Sequence, residues 1–357
     1  MKYRTTCVTA IMTAAGILLL IIDNRTAFTG AADGLEMCIK TVVPALLPFF
    51  VLSNILTASL VSRAPRILSP IGKICKIPSG QETLFLIGIL GGYPVGAKSI
   101  QQASSAGYLS KEDASRMLPF CNNAGPSFIF GIAALQFSDR ATAWILWGIQ
   151  VLSALFTGFI IPGKITRKRT NISTQSLTIT TALADSLKAL GNVCGWIILM
   201  RVVITFLQRW LLWLLPINTV VLLTGLLELA NGCHVLTQIS NESFRFIIAS
   251  GILSFGGLCV SFQTKSVTQG LSFGWYLPGK ILQCSFCVMA AICIQPILNP
   301  SVHLPKSAFI ISFCFVLVNS IIIKLKGREK AVAFSKNIVY NVKNIAKGSY
   351  PCFSVKK

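Results

Sequence analysis

Apolar runs broken by short polar or basic stretches recur along almost the whole chain. Because a helix needs roughly 20 apolar residues to cross a bilayer, this pattern predicts a series of membrane helices. The first run, 6–22, follows Lys2 and Arg4 and stops at Asp23. No small-residue cleavage pattern adjoins it, so it reads as a retained helix and not as a removed leader. The second, 37–60, contains Pro44 and Pro48, which kink a helix at membrane depth and do not end it. The apolar run 84–97 is too short to cross and runs into a long polar stretch, which predicts a re-entrant hairpin near 84–117. A run over 117–137 is interrupted by Asn122, Asn123, Gly125 and Pro126, and 141–161 is an unbroken span. Beyond a Ser- and Thr-rich linker, 182–189 reads as amphipathic and 193–215 as a long span carrying Arg201 and Arg209. Further apolar segments lie near 218–230, 244–262, 271–297 and 307–323. The fold class is an all-α polytopic integral membrane protein with about eight to ten membrane segments.

Two echoes suggest a duplicated unit. GILGGYPVG at 88–96 is matched by GILSFGGLCVS at 251–261, and Asp33-x-Leu35 by Asp185-x-Leu187. The organisation expected is an anchor helix in 1–30, a first repeat in 31–163, a linker in 164–181, a second repeat in 182–297, a final helix in 298–325 and a basic tail in 326–357. Inverted repeats with broken helices meeting at the midplane are a recurrent transporter plan.

Composition agrees with this pattern: 53% of residues are hydrophobic, 12% are charged and the mean hydropathy is +0.70. The formal charge of +21 would suggest nucleic acid in a soluble protein, but 17 of the 32 basic residues sit in 61–80, 162–170 and the stretch from 324 onward, beside apolar spans. That is the positive-inside distribution, so the partner is the lipid bilayer and not nucleic acid. Most of the 12 cysteines lie inside apolar runs and act as small hydrophobes. Cys284 and Cys287 have CxxC spacing without a second pair or a nearby His, so no metal or redox site is expected.

Three segments could carry chemistry. Gly91, Gly92, Pro94 and Gly96, followed by Lys98, place helix-breaking residues at membrane depth, where freed backbone groups become ligands. Asn122 and Asn123, with Gly125 and Pro126, read as a deliberate interruption, the carboxamides capping helix ends and Pro126 starting the next helix. Glu228 lies in an apolar run with Asn231 one turn later. A lone charge there costs roughly 2.5–3.5 kcal/mol on insertion scales, so it is expected to face a cavity or partner. Gly256, Gly257 and Gln263 form a weaker candidate around the second Gly-Gly. No catalytic set, cofactor motif or metal cluster is expected; two histidines lying 69 positions apart and the lack of a nucleophile elbow argue against an enzyme.

GILGGYPVGAKS, AGYLSKEDASRMLPFCNNAGPSFIFG, LLELANGC and FGGLCVSFQ together resemble the sporulation integral membrane protein family, a member of the nucleoside recognition or Gate domain group, over about residues 35–300. The resemblance implies two Gate-like repeats with re-entrant hairpins, a transporter-like fold, and a role in forming the spore envelope or cortex. The function expected is transport or sensing of a small polar solute such as a nucleoside, with the site between the two Gly-Gly segments. The alternative is a membrane scaffold that recruits spore-envelope proteins; self-association and sporulation membrane partners belong to either reading. The expected location is the bacterial plasma membrane with both termini cytoplasmic. Single cysteines placed in 61–80, in 162–170 or after Lys324, on a cysteine-free background, should then resist an impermeant thiol reagent added to intact cells; labelling at any of them overturns the orientation.

Overall fold

The computed structural model describes residues 2–60, 65–163, 178–298 and 305–346, and among these every regular element is helical. In chain order the helices are α1 (Lys2–Ile22), α2 (Asn24–Met37), α3 (Val43–Leu60), α4 (Ser69–Ile74), α5 (Thr83–Leu90), α6 (Val95–Ser105), α7 (Lys111–Met117), α8 (Pro126–Phe128), α9 (Ala141–Ile160), α10 (Ile179–Trp210), α11 (Ile217–Leu227), α12 (Leu229–His234), α13 (Glu242–Phe255), α14 (Gly257–Val267), α15 (Tyr276–Leu298) and α16 (Lys306–Ala346). A π-helical turn, Cys38–Val42, joins α2 to α3, and another, Ile129–Ala133, continues α8. Among the described residues six helical stretches are long and apolar enough to cross a membrane, and the chain is a polytopic all-α membrane protein. Most of the linker, including Lys164, Arg167, Lys168 and Arg169, lies outside the described residues, as do Arg63 and the end of the tail.

The frame is a long antiparallel pair. The α2–α3 rod lies along α10, with Gly30 against Val202 and Thr205, Gly34 against Ile198 and Arg201, and Asn54 donating to the Ser186 hydroxyl at 2.9 Å. Small residues let the two backbones approach, which supplies the packing that membrane helices need in place of a hydrophobic drive. Asp23 meets Arg209 at 3.1 Å and Asp33 meets Arg201 at 3.0 Å along this seam. The arginines that interrupt the predicted 193–215 span are therefore ion-paired in the seam, and 182–210 is one helix instead of an amphipathic piece followed by a span.

Two hairpins enter this frame. In the first, α5 and α6 fold back on each other so closely that a Cβ on Gly96 would lie 2.9 Å from the Gly88 Cα, and both glycines press on the Cys121 carbonyl. In the second, α11 and α12 fold back with Gly232 packed on the Gly225 backbone. The expected hairpin near 84–117 is thus a helical hairpin of α5 and α6 alone, with α7 a separate helix. Gly256 and Gly257, expected at the tip of the other, instead separate α13 from α14, which run on from one another; the second hairpin turns at Glu228. In physical terms, a Gly-Gly pair frees the backbone without dictating whether it bends or reverses, and reversal requires small residues on both arms, which 225 and 232 provide.

The ends of the bundle are distinct. Gln101 donates to the Gln269 carbonyl, Ser272 N–H to Ser115, Lys326 to the Gly274 carbonyl and Lys76 to the Phe159 carbonyl, so the first hairpin opens toward the end that holds Lys76 and Lys326. There a groove of about 460 Å³ is flanked by Lys76 and Lys324. At the other end Ser138 N–H donates to Glu242 and Arg245 donates to the Gln136 carbonyl, and the second hairpin opens on this side. Each half therefore runs through the same order (long helix, hairpin, broken helix, span) in opposite directions. The outer helices α1 and α16 expose Ile11, Ile17, Ile21, Phe309, Ile311 and Ile322, as lipid contact requires.

These packings make a contrast testable. Gly88→Val or Gly96→Val forces a branched side chain into the Cys121 backbone and should abolish folded protein, whereas Gly148→Ala, which meets nothing within 4 Å, should be neutral or stabilise by up to about 1 kcal/mol. Melting temperatures of the purified variants decide it.

Candidate functional site

The tip of the first hairpin is Gly91-Gly92-Tyr93-Pro94, with a cis Tyr93–Pro94 peptide. Gly92 has φ +69°, and a Cβ there would stand 2.8 Å from the Gly125 nitrogen. Both the left-handed backbone and the close approach demand glycine. The reason is that the chain breaks again at 122–125, between α7 and α8, and this break rests on the hairpin tip: Gly125 lies against Gly92 and the Leu90 carbonyl. The second half repeats the arrangement, with Gly257 lying against the Gly225, Leu226 and Leu227 carbonyls of its own hairpin. Gly91 is packed between the Ile87 carbonyl and Val95, inside the turn.

Glu228 turns the second hairpin. Its backbone is extended (φ −146°, ψ 127°) and it caps α12. Oε1 accepts from the Ala230 N–H at 3.0 Å, and Oε2 from the Asn231 N–H at 2.6 Å and the Asn231 side-chain amide at 2.7 Å. The 3% exposed carboxyl thus has three donors supplied by the turn it makes, which offsets the cost of placing it at depth. Asn231 donates to the same carboxyl and is not a second residue on a continuous helix face; its Oδ1 is buried with no hydrogen-bond partner among the described residues.

The two tips and the two breaks converge. Gly92, Tyr93, Gly125, Ser127, Glu228 and Gln263 line one cavity of about 30 Å³, room for a water or two. Tyr93 reaches across the halves, its hydroxyl donating to the Leu253 carbonyl at 3.3 Å and lying where a Cβ on Gly256 would be 2.8 Å away. Gly256 has φ +81°, so it too is held to glycine. Gln263 donates to the Cys259 sulfur at 3.3 Å and reaches the cavity from α14.

The Asn pair faces away from that cavity, into a polar core. Asn122 Oδ1 accepts from the Ala97 N–H near the start of α6 at 3.3 Å, and its Nδ2 donates to Thr264 at 2.8 Å, which in turn lies 3.3 Å from the Tyr276 hydroxyl. Asn123 Nδ2 closes the turn onto the Phe120 carbonyl, while its Oδ1 accepts from Gln283 at 2.7 Å. Pro126 stands in the first turn of α8. Lys98 is remote from both, half-exposed and 3.8 Å from Asp185.

Sequence reasoning missed Lys280. It is 1% exposed and its Nζ lies 2.6 Å from the Asn122 carbonyl, 2.9 Å from Gln283 Oε1 and 3.2 Å from the Tyr93 hydroxyl. The signal was present, since Lys280 is the one charged residue between 276 and 298, and an ionisable group within a span is functional by default. Among the described residues no three His, Cys, Asp or Glu side chains come together as a metal site. Cys284 and Cys287 hydrogen-bond separately, to the Gly251 and Ile149 carbonyls.

Fold and site together define a polytopic helical membrane protein whose opposed hairpins meet at a small cavity inside the bundle, where Glu228, Ser127 and Gln263 stand among apolar side chains such as Leu46, Val193 and Ile197. The chain is similar to the sporulation integral membrane protein YlbJ of Bacillus subtilis (strain 168), 25% identical over 332 residues that cover 79% of this chain and 80% of that protein. No protein-family model and no solved structure matches it.

Glu228→Ala removes all three cap bonds and should lower stability by about 0.5–2 kcal/mol, while Glu228→Asp, too short to reach all three donors, should fall between it and wild type. Thermal denaturation of the purified proteins measures both; equal melting temperatures for all three would remove the capping role.

Proposed function

We propose that this protein transports or senses a small polar solute, of the nucleoside class, in the plasma membrane during sporulation. The observation that carries the reading is the meeting of two oppositely directed hairpin tips, two helix breaks and Glu228 at one buried cavity. Non-helical backbone at membrane depth persists where it lines a cavity or a path, and inverted halves around a central site suit alternating access. A cavity of about 30 Å³ is far below the 300 Å³ or more that a drug-sized ligand fills. In this reading the structure is a closed form, and a hairpin must withdraw to admit the solute. Asn231 Oδ1, buried without a partner beside the carboxyl, is an acceptor that the solute would satisfy. Sporulation enters through the similarity to YlbJ. The bundle end bearing Lys76, Lys324 and Lys326 is the cytoplasmic face by the positive-inside rule, and the tail extends from it.

The scaffold reading has one observation of its own, the continuation of α16 to Ala346, well past the 307–327 stretch that suffices to cross. The two readings separate in cells. Glu228→Gln, which inserts normally but cannot accept all three bonds, should block sporulation if the cavity is used, and truncation after Gly327 should leave sporulation intact. Normal sporulation of Glu228→Gln together with failure of the truncation would favour the scaffold. For the solute, a panel of nucleosides should raise the melting temperature of wild type and not of Glu228→Gln; no shift with any of them rejects the nucleoside class.

A further inference from the structure

Lys280 is held in a manner unlike any other lysine described here. Asp or Glu is absent from within 4 Å of its Nζ among the described residues; instead four neutral oxygens surround it. They are the Asn122 carbonyl (2.6 Å), Gln283 Oε1 (2.9 Å), the Tyr93 hydroxyl (3.2 Å) and Asn123 Oδ1 (3.5 Å), with the Tyr93 ring centroid 5.1 Å away. These oxygens are themselves oriented. The Tyr93 hydroxyl gives its proton to the Leu253 carbonyl and so turns a lone pair toward Nζ, and Gln283 spends its amide on Asn123 and Ser153, leaving Oε1 for the lysine. The Asn122 carbonyl is free because the helix breaks there. A cage of carbonyl, carboxamide and hydroxyl oxygens without a carboxylate is the ligand set by which membrane proteins bind a dehydrated monovalent cation.

We propose that these four oxygens form a monovalent cation site that is filled by the tethered ammonium of Lys280. The ammonium does the work of a bound ion: it ties the first hairpin, through Tyr93, to the 122–125 break and to α15. Because the charge is covalently attached, no diffusing cation is needed to hold this hairpin against the bundle.

The test empties the site and asks what refills it. In the purified full chain, Lys280→Ala should melt below wild type when N-methylglucamine is the only cation. Sodium, potassium or ammonium at equal ionic strength should then raise its melting temperature by about 2–4 °C in a saturable manner, with no such response from wild type. Lys280→Met keeps the stem volume and leaves no room for an ion, so it should be destabilised without any cation response. A Lys280→Ala protein as stable as wild type, or one indifferent to all small cations, overturns the proposal. Should Lys280→Ala fail to accumulate, Gln283→Leu decides: it should cost clearly more in the wild-type background than beside Lys280→Met, and an equal cost in both backgrounds overturns the proposal.

Discussion

Every unusual feature of this molecule follows from one constraint: a backbone amide or carbonyl freed in the middle of a bilayer must find its partner inside the protein, because no water is there to take it. Two hairpin turns and two helix breaks free many such groups at once. The structure places each break directly against the tip of its own hairpin, and uses Glu228, Asn122, Asn123 and Lys280 to engage what remains. Glu228, Asn122 and Asn123 lie where regular helix stops, and Lys280 reaches such a stop from within α15.

Steric demands are the other side of the same arrangement. A break can rest on a hairpin tip only if backbone touches backbone, so Gly92 meets Gly125, and Gly257 meets three successive carbonyls. The arms must also come close enough to enter as a pair, which the Gly88–Gly96 and Gly225–Gly232 contacts allow. Glycine at these positions is fixed by proximity, and at Gly92 and Gly257 by a left-handed backbone as well.

Much of this was legible in the chain. The shortness of 84–97 and the clustering of helix breakers at 122–126 locate the first hairpin and its break, because length and backbone chemistry are local properties. The second hairpin was harder to see, since α11 and α12 are separated by a single residue and Glu228 reads equally well as a charge on a continuous helix. The echo of Gly91-Gly92 in Gly256-Gly257 matched residues with different structural roles: by contact, Gly257 corresponds to Gly125, and Glu228 corresponds to the Gly92 tip. Lys280 stayed hidden for a further reason, because its partners come from 93, 122, 123 and 283, and nothing in the linear pattern brings these together.

The opposed direction of the two halves bears on how such a chain could arise. From α2 to α9, and again from α10 to α15, the chain runs through a long helix, a hairpin, a broken helix and a further long helix, so each half starts and finishes at opposite ends of the bundle. Two copies of one such unit joined end to end are necessarily upside down relative to each other. An ancestral single unit that paired with itself in this way would have had to insert both ways round, which only a protein with little bias in its loop charges can do. In a fused pair of such copies that indifference would be a hazard, since the chain could enter the membrane inverted as a whole. Lysines gathered at one end of the bundle, as Lys76, Lys324 and Lys326 are, would remove the ambiguity that such a symmetry creates.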